Sequence, residues 1–400
     1  MGRDRAYVAG MDRSDAALIP AETAWLTDAG AQTVCRVLSD GGHQIFFVGG
    51  CVRNALLGAT VSDIDLATDA APDRVIKLAE AAGLKAVPTG IAHGTVTLIV
   101  GDTPYEVTTF RRDVQTDGRR AVVAYSHDIK EDAQRRDFTM NALYATPEGR
   151  VVDPLGGIAD LRTRRIRFID DATARIREDY LRVLRYFRFH AWYGDSADGF
   201  DPDALSAIGE NIAGLETLSA ERIGAEIRKL LQAPDPVFAL SGMQQTGVLG
   251  AILPGSDTRL VAPVVHFESL QKWRRDWRTR LAALGGIDSV DRLRLSKADA
   301  RKLIAIRDAA FAGPTLPEIA FRDGAGIARG AALLRAALAE QMPDPNLSAT
   351  IETAANATFP VAAADLMPEF DGKALGRRLR EIEQMWIDSG FTLTREQLLG

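Results

Sequence analysis

Cysteine is almost absent: Cys35 and Cys51 are the only two in 400 residues. Neither has a partner at metal-ligand spacing, which excludes a disulfide framework and a thiolate zinc site. No run approaches the roughly eighteen apolar residues that a membrane-spanning helix needs, and the opening Met-Gly-Arg-Asp-Arg-Ala-Tyr has no apolar h-region. The sequence therefore predicts a cytoplasmic chain without membrane contact, and nothing in it points to a protein partner. A positive excess is also lacking. The formal net charge of −6 argues against a surface that grips nucleic acid everywhere. What remains is ordinary for a globular protein, 46% apolar and 26% charged residues. The length predicts about two to four domains.

One stretch carries chemistry. Ile45 to Val48 reads as an apolar strand, Gly49-Gly50 as a turn, and Arg53 follows on a short segment before Ser62-Asp63-Ile64-Asp65. On a strand, Asp63 and Asp65 share a face. Such a pair repels unless a cation lies between the two carboxylates, and Mg²⁺, a hard ion that prefers oxygen and bridges phosphates, suits the position. The Gly-Gly turn frees backbone N–H groups for a phosphate, and Arg53 adds a positive fork. An Asp-x-Asp alone is mostly a solvated turn or a helix cap. Turn, arginine and paired acids together favour a phosphate-plus-metal site.

Taken in order, residues 1–20 read as a flexible leader and Ala21 to Leu38 as a helix stopped by Gly41-Gly42. Pro72 opens a helix through Ala82 with Gly83 as its cap, and Gly94–Val100 with Tyr105–Phe110 form an alternating hairpin around Gly101-Asp102. These elements predict a small mixed α/β sheet. Glu106 is either an edge-strand glutamate or, if its strand neighbours that of Asp63 and Asp65, a third carboxylate of the cluster. Arg111 to Asp132 lacks periodicity and reads as a mobile loop. Arg135-Arg136-Asp137-Phe138-Thr139-Met140-Asn141 is either a helix-start charge cluster or a set suited to a triphosphate and a ribose. From Ala172 helical periodicity takes over, which predicts a boundary near residue 170.

Beyond that boundary one helix is expected to carry Asp179, Arg182, Arg185 and Arg188 at three-residue intervals, with Leu181, Leu184, Phe187 and Ala191 on its buried side. Asp179 and Arg182 would pair if left alone. Turned towards a base, a carboxylate that accepts and a guanidinium that donates can read a Watson–Crick edge. Arginines outnumber acids between Arg162 and Arg188. Lys272 to Arg280 holds Lys272, Arg274, Arg275 and Arg278 interleaved with Trp273 and Trp277. This second stretch is either a solvated helix face or an RNA contact.

Five blocks in order resemble one family: Gly49-Gly50-Cys51-Val52-Arg53 with Asp63-Ile64-Asp65, Arg135 to Ala142, Asp153-Pro154-Leu155-Gly156-Gly157, Glu178-Asp179 with Arg182 and Arg185, and Leu218-Ser219-Ala220-Glu221-Arg222-Ile223. The chain resembles the class II CCA-adding tRNA nucleotidyltransferases and the related bacterial poly(A) polymerases, within the polymerase-β-like nucleotidyltransferases. The resemblance covers roughly residues 40 to 230. It implies an α/β nucleotidyltransferase head (21–170), a helical neck that selects nucleotide and binds RNA (171–254), and an all-α body and tail (255–400) that binds tRNA.

By the same resemblance Asp63 and Asp65 hold Mg²⁺; Glu106 is the candidate third catalytic carboxylate on the strand reading alone. Gly50, Arg53, Arg136, Asp137, Asp179, Arg182, Arg185 and Arg188 bind the incoming nucleotide, Asp179 and Arg182 choosing CTP or ATP. Lys272, Arg274, Arg275 and Arg278 belong to the RNA surface. Asn54 departs from the pattern, since an acid is commoner after the arginine, and receives no role. The implied reaction is template-independent addition of C, C and A to the tRNA 3′ end from CTP and ATP, with the tRNA elbow bound by the body and tail. Poly(A) addition, partial CC or A addition, and a non-catalytic RNA-binding relic are the alternatives. A fused His-Asp phosphohydrolase domain needs several histidines, and only His266 lies beyond residue 200.

Overall fold

The computed structural model describes residues 17–117, 120–367 and 369–400, without the side chains of 113–123. The chain forms two compact units, residues 1–218 and 219–400. Most of the expected leader, residues 1–16, lies outside the described residues. Residues 17–20 are held against the first unit: Ile19 is buried and its N–H donates to the Gly149 carbonyl at 2.9 Å.

In the first unit, helix α1 (Ala29–Asp40) begins later than its periodicity suggested. Asp28 decides the start by accepting the Ala31 N–H at 2.8 Å as an N-cap, and residues 21–27 form turns instead. Strand β1 (Ile45–Val48), buried on both faces, runs into α2 (Gly50–Leu56). Then follow β2 (Asp65–Thr68), α3 (Pro72–Ala81), β3 (Lys85–Gly90), β4 (Thr95–Val100) and β5 (Thr103–Thr109). Sequence reasoning missed β3. It is a half-exposed edge strand containing Pro88, a residue that blunts the period-two pattern and is tolerated at an edge.

The expected loop from Arg111 to Asp132 is instead a separate hairpin of β6 (Arg111–Asp117) and β7 (Arg120–Tyr125), followed by α4 (Ile129–Gln134). Its charged residues hid the alternation. Two local signals were nevertheless present: Asp117-Gly118, a turn dipeptide, and Asp128, whose carboxylate accepts the Lys130 N–H at 2.8 Å.

With β8 (Tyr144–Ala145) and β9 (Val151–Val152), the main sheet has the order β3-β4-β5-β2-β1-β8-β9. Among the described residues only β2 and β5 run parallel, with Asp65 opposite Glu106. Phe46, Phe110, Tyr144, Val152 and Ile169 build the core under the sheet, Phe46 stacked on Phe110 and both edge-on to Tyr144. The Asp153 carboxylate starts α5 (Gly157–Arg162) by accepting the N–H groups of Gly157 and Ile158 at 2.8 and 2.9 Å. Gly157 has no room for a side chain: a Cβ there would lie 2.1 Å from the Thr139 carbonyl oxygen.

The single helix expected around residues 178–191 is two, α6 (Ala172–Glu178) and α7 (Leu181–Tyr193). Asp179 breaks them apart, extended at φ −156° with its carboxylate accepting the Leu181 N–H at 3.1 Å. Burial on α7 also differs from the expected stripe. Val183, Leu184, Tyr186, Phe187, Phe189 and His190 are buried, whereas Leu181 and Ala191 are half-exposed. Helix α8 (Pro202–Glu210) and a 3₁₀ turn complete this unit.

Among its described residues the second unit is built of helices, with one isolated bridge between Ser256 and Gly285. Ser219 caps α9 (Ala220–Leu231), and α10 (Val237–Gln245), α11 (Val248–Ile252), α12 (Val261–Leu270), α13 (Trp277–Leu284) and α14 (Ser289–Arg292) follow. Gly224 on α9 admits the Leu293 backbone, whose carbonyl oxygen would lie 2.0 Å from a Cβ. Then come α15 (Lys297–Ala312), α16 (Leu316–Asp323), α17 (Ala325–Ala339), α18 (Leu347–Ala355), α19 (Gly372–Asp388) and α20 (Arg395–Leu399). The alanine-rich α17 packs against α15, α16 and α18. A terminal cluster gathers Phe321, Phe359 and Phe391 around Trp386. Among the described residues no helix is long and apolar enough to cross a membrane.

Candidate active site

Asp65 is the first residue of β2, and Asp63 lies in the extended segment just before it. The parallel register places Glu106 of β5 beside Asp65, and Asp63 precedes Asp65 by two residues, outside the strand. All three are exposed, and among the described residues none makes an ion pair. The Asp65 carboxyl is held above its usual range, first by the surrounding protein and then by the charges of Glu106 and Asp63, with Arg136 opposing. Among the described residues no group of three or more His, Cys, Asp or Glu is gathered tightly enough to cage a metal unaided. An open, all-oxygen set of mutually repelling carboxylates fits a hard divalent cation that completes its shell with substrate oxygens or water.

Facing these acids, β1 ends in Gly49, whose φ of +70° and ψ of −113° are open only to glycine. A Cβ at Gly49 would lie 3.5 Å from Arg136 Nη1, and one at Gly50 would lie 3.8 Å from Arg53 Nη2. Both arginines therefore border the turn. Arg53 is only 6% exposed and its guanidinium is largely committed: it donates to Asn54 Oδ1 from Nε (3.1 Å) and Nη2 (2.9 Å), to Asn141 Oδ1 (2.7 Å) and to the Tyr193 hydroxyl (2.8 Å). It also lies 4.2 Å from the centre of the Tyr193 ring. Four of its five donors are thus in use, leaving one Nη1 hydrogen for a phosphate oxygen.

Arg136 is anchored by Asp132, which accepts from it at 3.0 Å, from Arg135 Nε at 2.8 Å and from the Tyr144 hydroxyl at 2.7 Å. Asp132 is 1% exposed. Burial alone would push its carboxyl up, yet Arg136, Arg135 and Tyr144 hold it well below the usual carboxylate range. Asp137, also buried, is the next node. It accepts from Arg185 Nε at 2.6 Å, from Asn141 at 3.1 Å and from the Phe138 N–H at 3.0 Å. Burial opposes its charge, and Arg185 with Asn141 outweighs it, leaving the carboxyl below its usual value.

Arg182 forms its ion pair with Glu178, one turn before it. Its other donors reach the carbonyls of Arg175 (2.9 Å) and Arg135 (3.0 Å), so the guanidinium is held to the segment bearing Arg136. Arg188 lies 4.8 Å from the Phe189 ring centre on the same helix. Arg182 and Arg185 thus join α7 to the Arg135–Asp137 segment. In the second unit Lys272, Arg274 and Arg275 are exposed, whereas Arg278 is bound to Asp276 and Asp299 and stacked on Trp277. That basic stretch divides into three exposed charges and two committed to the fold, Arg278 and the buried Arg280, which pairs with Glu268.

Sequence reasoning assigned no part in the site to the side chains of Asp132, Tyr193 and Asn54, whereas Asn141 stood in the set suited to a triphosphate and a ribose. Asp132 fell inside the supposed loop, and its spacing of three and four from Arg135 and Arg136 was the available signal. Tyr193 offered none, because its contact with Arg53 spans 140 residues.

Residues 45–167 match the family described as the Poly A polymerase head domain, and residues 199–260 match the probable RNA and SrmB-binding site of polymerase A. The CCA tRNA nucleotidyltransferase 1, mitochondrial, of Mus musculus is 30% identical over 393 residues, covering 93% of this chain and 89% of that protein. A CCA-adding enzyme of Geobacillus thermodenitrificans is 40% identical over 224 residues, 56% of this chain and 54% of that one. The crystal structure of the Bacillus stearothermophilus CCA-adding enzyme in complex with CTP superposes with a TM-score of 0.72 at 28% identity, covering 92% of this chain and 95% of that one. The sheet, the acids that meet on it and a match over nearly the whole length agree: this chain belongs to the CCA tRNA nucleotidyltransferase family.

Proposed function

We propose that this protein adds C, C and A to the 3′ end of tRNA from CTP and ATP, releasing pyrophosphate. The observation that carries the proposal is the register that sets Asp65 beside Glu106, on the sheet whose β1 runs into the Gly49–Gly50 turn between Arg53 and Arg136. Relatives named for CCA addition, and a similar fold solved with CTP, support it. Asp63 and Asp65 would hold Mg²⁺, which when bound with the phosphates lowers the pKa of the attacking hydroxyl and offsets charge on the leaving pyrophosphate. Arg136 and the remaining Arg53 donor hold the triphosphate at the turn, and Glu106 adds negative charge beside Asp65.

Base choice falls to Asp179 and Arg182, with Arg185 and Arg188 extending the nucleotide site. Cytosine and adenine both present an amino donor next to a ring-nitrogen acceptor, matching a carboxylate beside a guanidinium. Guanine and uracil present a carbonyl next to a ring N–H, which would set acceptor against acceptor and donor against donor. The exposed Lys272, Arg274 and Arg275 are assigned to tRNA phosphates, which carry affinity rather than sequence information.

The test is incorporation of labelled CTP and ATP into tRNA lacking its 3′ end. Asp63→Ala is expected to reduce incorporation by about a thousandfold or more, the scale of a lost metal clamp. No Mg²⁺-dependent incorporation by the unaltered protein would overturn the proposal. Long A tracts on arbitrary RNA without use of CTP would replace it with poly(A) addition.

A further inference from the structure

Asn54 joins two parts of the site through opposite ends of one amide. Its Oδ1 accepts from Arg53 Nε and Nη2 at 3.1 and 2.9 Å, while its Nδ2 donates to the Thr60 carbonyl at 2.9 Å. Thr60 lies in the exposed loop between α2 and β2, three residues before Asp63. On the far side of Arg53, Asn141 accepts at 2.7 Å and passes a hydrogen bond to Asp137 at 3.1 Å, and Asp137 is held by Arg185. Thr60, Asn54, Arg53, Asn141, Asp137 and Arg185 therefore form one unbroken route from the loop of the carboxylates to α7.

Donor directions fix the route. Arg53 can only donate, so both asparagines must turn a carbonyl oxygen towards it. Each then points its NH₂ at an acceptor, the Thr60 carbonyl or the Asp137 carboxylate. Flipping the Asn54 amide would turn three good contacts repulsive, and flipping that of Asn141 would turn two.

We propose that Asn54 is a positioning residue for nucleotidyl transfer: one end of its amide holds Arg53 at the Gly49–Gly50 turn and the other holds the loop that delivers Asp63. This rests on the nucleotidyl-transfer reading of the site. A carboxylate at position 54 would retain the first contact and reverse the second, placing acceptor against acceptor at Thr60. Asparagine is the side chain that satisfies both.

The substitutions that separate the two contacts are Asn54→Asp and Asn54→Leu in the full chain, with Tyr193→Phe removing a different bond to Arg53. Three quantities are read: kcat and KM for CTP on tRNA lacking its 3′ end, CTP affinity by calorimetry, and hydrogen–deuterium exchange over residues 57–64. Asn54→Asp is expected to leave CTP affinity within about twofold, to speed exchange in the loop and to lower kcat by about tenfold, the scale of one hydrogen bond. Asn54→Leu should weaken CTP binding by about tenfold as well, because Arg53 loses both bonds to the residue. Tyr193→Phe should weaken CTP binding without changing loop exchange. Unchanged exchange and kcat in Asn54→Asp would overturn the proposal. So would an Asn54→Leu protein that loses thermal stability alone, with kcat and KM per folded molecule intact. Exchange and calorimetry report even if the unaltered protein incorporates no CTP, so a failure of the functional reading is distinguishable from a failure of this one.

Discussion

Asp132 of the first unit and Glu268 of the second are both buried acids paired with arginine, 1% and 3% exposed, yet their carboxyls shift in opposite directions. Asp132 is held well below its usual range and Glu268 above it. Asp132 receives three donors from three side chains, spread over both oxygens. At Glu268 the contacts with Arg280, at 2.9 and 2.7 Å, both fall on Oε2. Arg280 also donates to the Leu231 and Ala233 carbonyls at 2.8 and 2.6 Å. Burial disfavours both charges, and Arg280 only partly offsets it at Glu268. A buried ion pair is thus no single kind of interaction, and what decides its sign is how many donors converge on the carboxylate. In the first unit the surplus of donors fixes Arg135, Arg136 and Tyr144 around one carboxylate. In the second a single arginine joins the end of α9 to α12 and α13.

The largest effect is expected of Asp132→Ala, which strands Arg135 and Arg136. It is expected to cost about 3–5 kcal/mol of stability and to raise KM for CTP, measured by urea unfolding and incorporation kinetics. Arg280→Met should cost about 3 kcal/mol or more, because Glu268 and the backbone carbonyls lose their partner, while KM for CTP stays unchanged. Glu268→Gln keeps an acceptor for Arg280 and removes a charge already disfavoured by burial. Its expected cost is about 1 kcal/mol or less, and a loss as large as that of Asp132→Ala would show that donor count is not the deciding factor.

Acid separates the two nodes by sign. The folded pKa of Asp132 is depressed, so its stabilisation is present above the unfolded carboxylate value of about 4 and is lost as pH falls through the lower folded value. The deficit of Asp132→Asn should therefore shrink below about pH 4. Glu268 has the raised value, so its ionised form costs stability at neutral pH, and that cost fades as pH falls through the folded pKa. Urea midpoints of both variants across the acid range check both directions. The smallest effect contrasts exposed with committed basic residues. Alanine at Lys272, Arg274 and Arg275 together should flatten the dependence of log Kd for tRNA on log salt by about 2–3, whereas Arg278→Ala should lower stability and leave that slope nearly unchanged.

Sequence patterns were informative where the signal is local. The Ile45–Val48 strand, the Pro72 helix start and the hairpin about Gly101-Asp102 each depend on neighbours a few residues away, and each stands in the structure. Errors arose where a side chain overrode the pattern. Asp28 delayed α1, Asp179 divided the helix carrying the arginines, and the charges of Arg111–Asp117 masked a strand. The acids of the site were readable because their residue types are unusual together. Their support was not, since Asn141 and Tyr193 contact Arg53 across 88 and 140 residues, and such pairings leave no periodicity.

The parallel pairing of β2 with β5 has a consequence in time. Asp63 and Asp65 leave the ribosome about forty residues before Glu106, and β5 reaches its place beside β2 only after α3, β3 and β4 have been made. Parallel strands need a long crossover, and closing it is slow relative to forming a hairpin or helix. The nascent chain therefore displays its two aspartates on an unfinished edge before it owns a site. Competence for chemistry arrives with closure of the sheet, late in the folding of the first unit, so a lesion that delays β5 would be felt first as missing activity in a chain whose early elements are already formed.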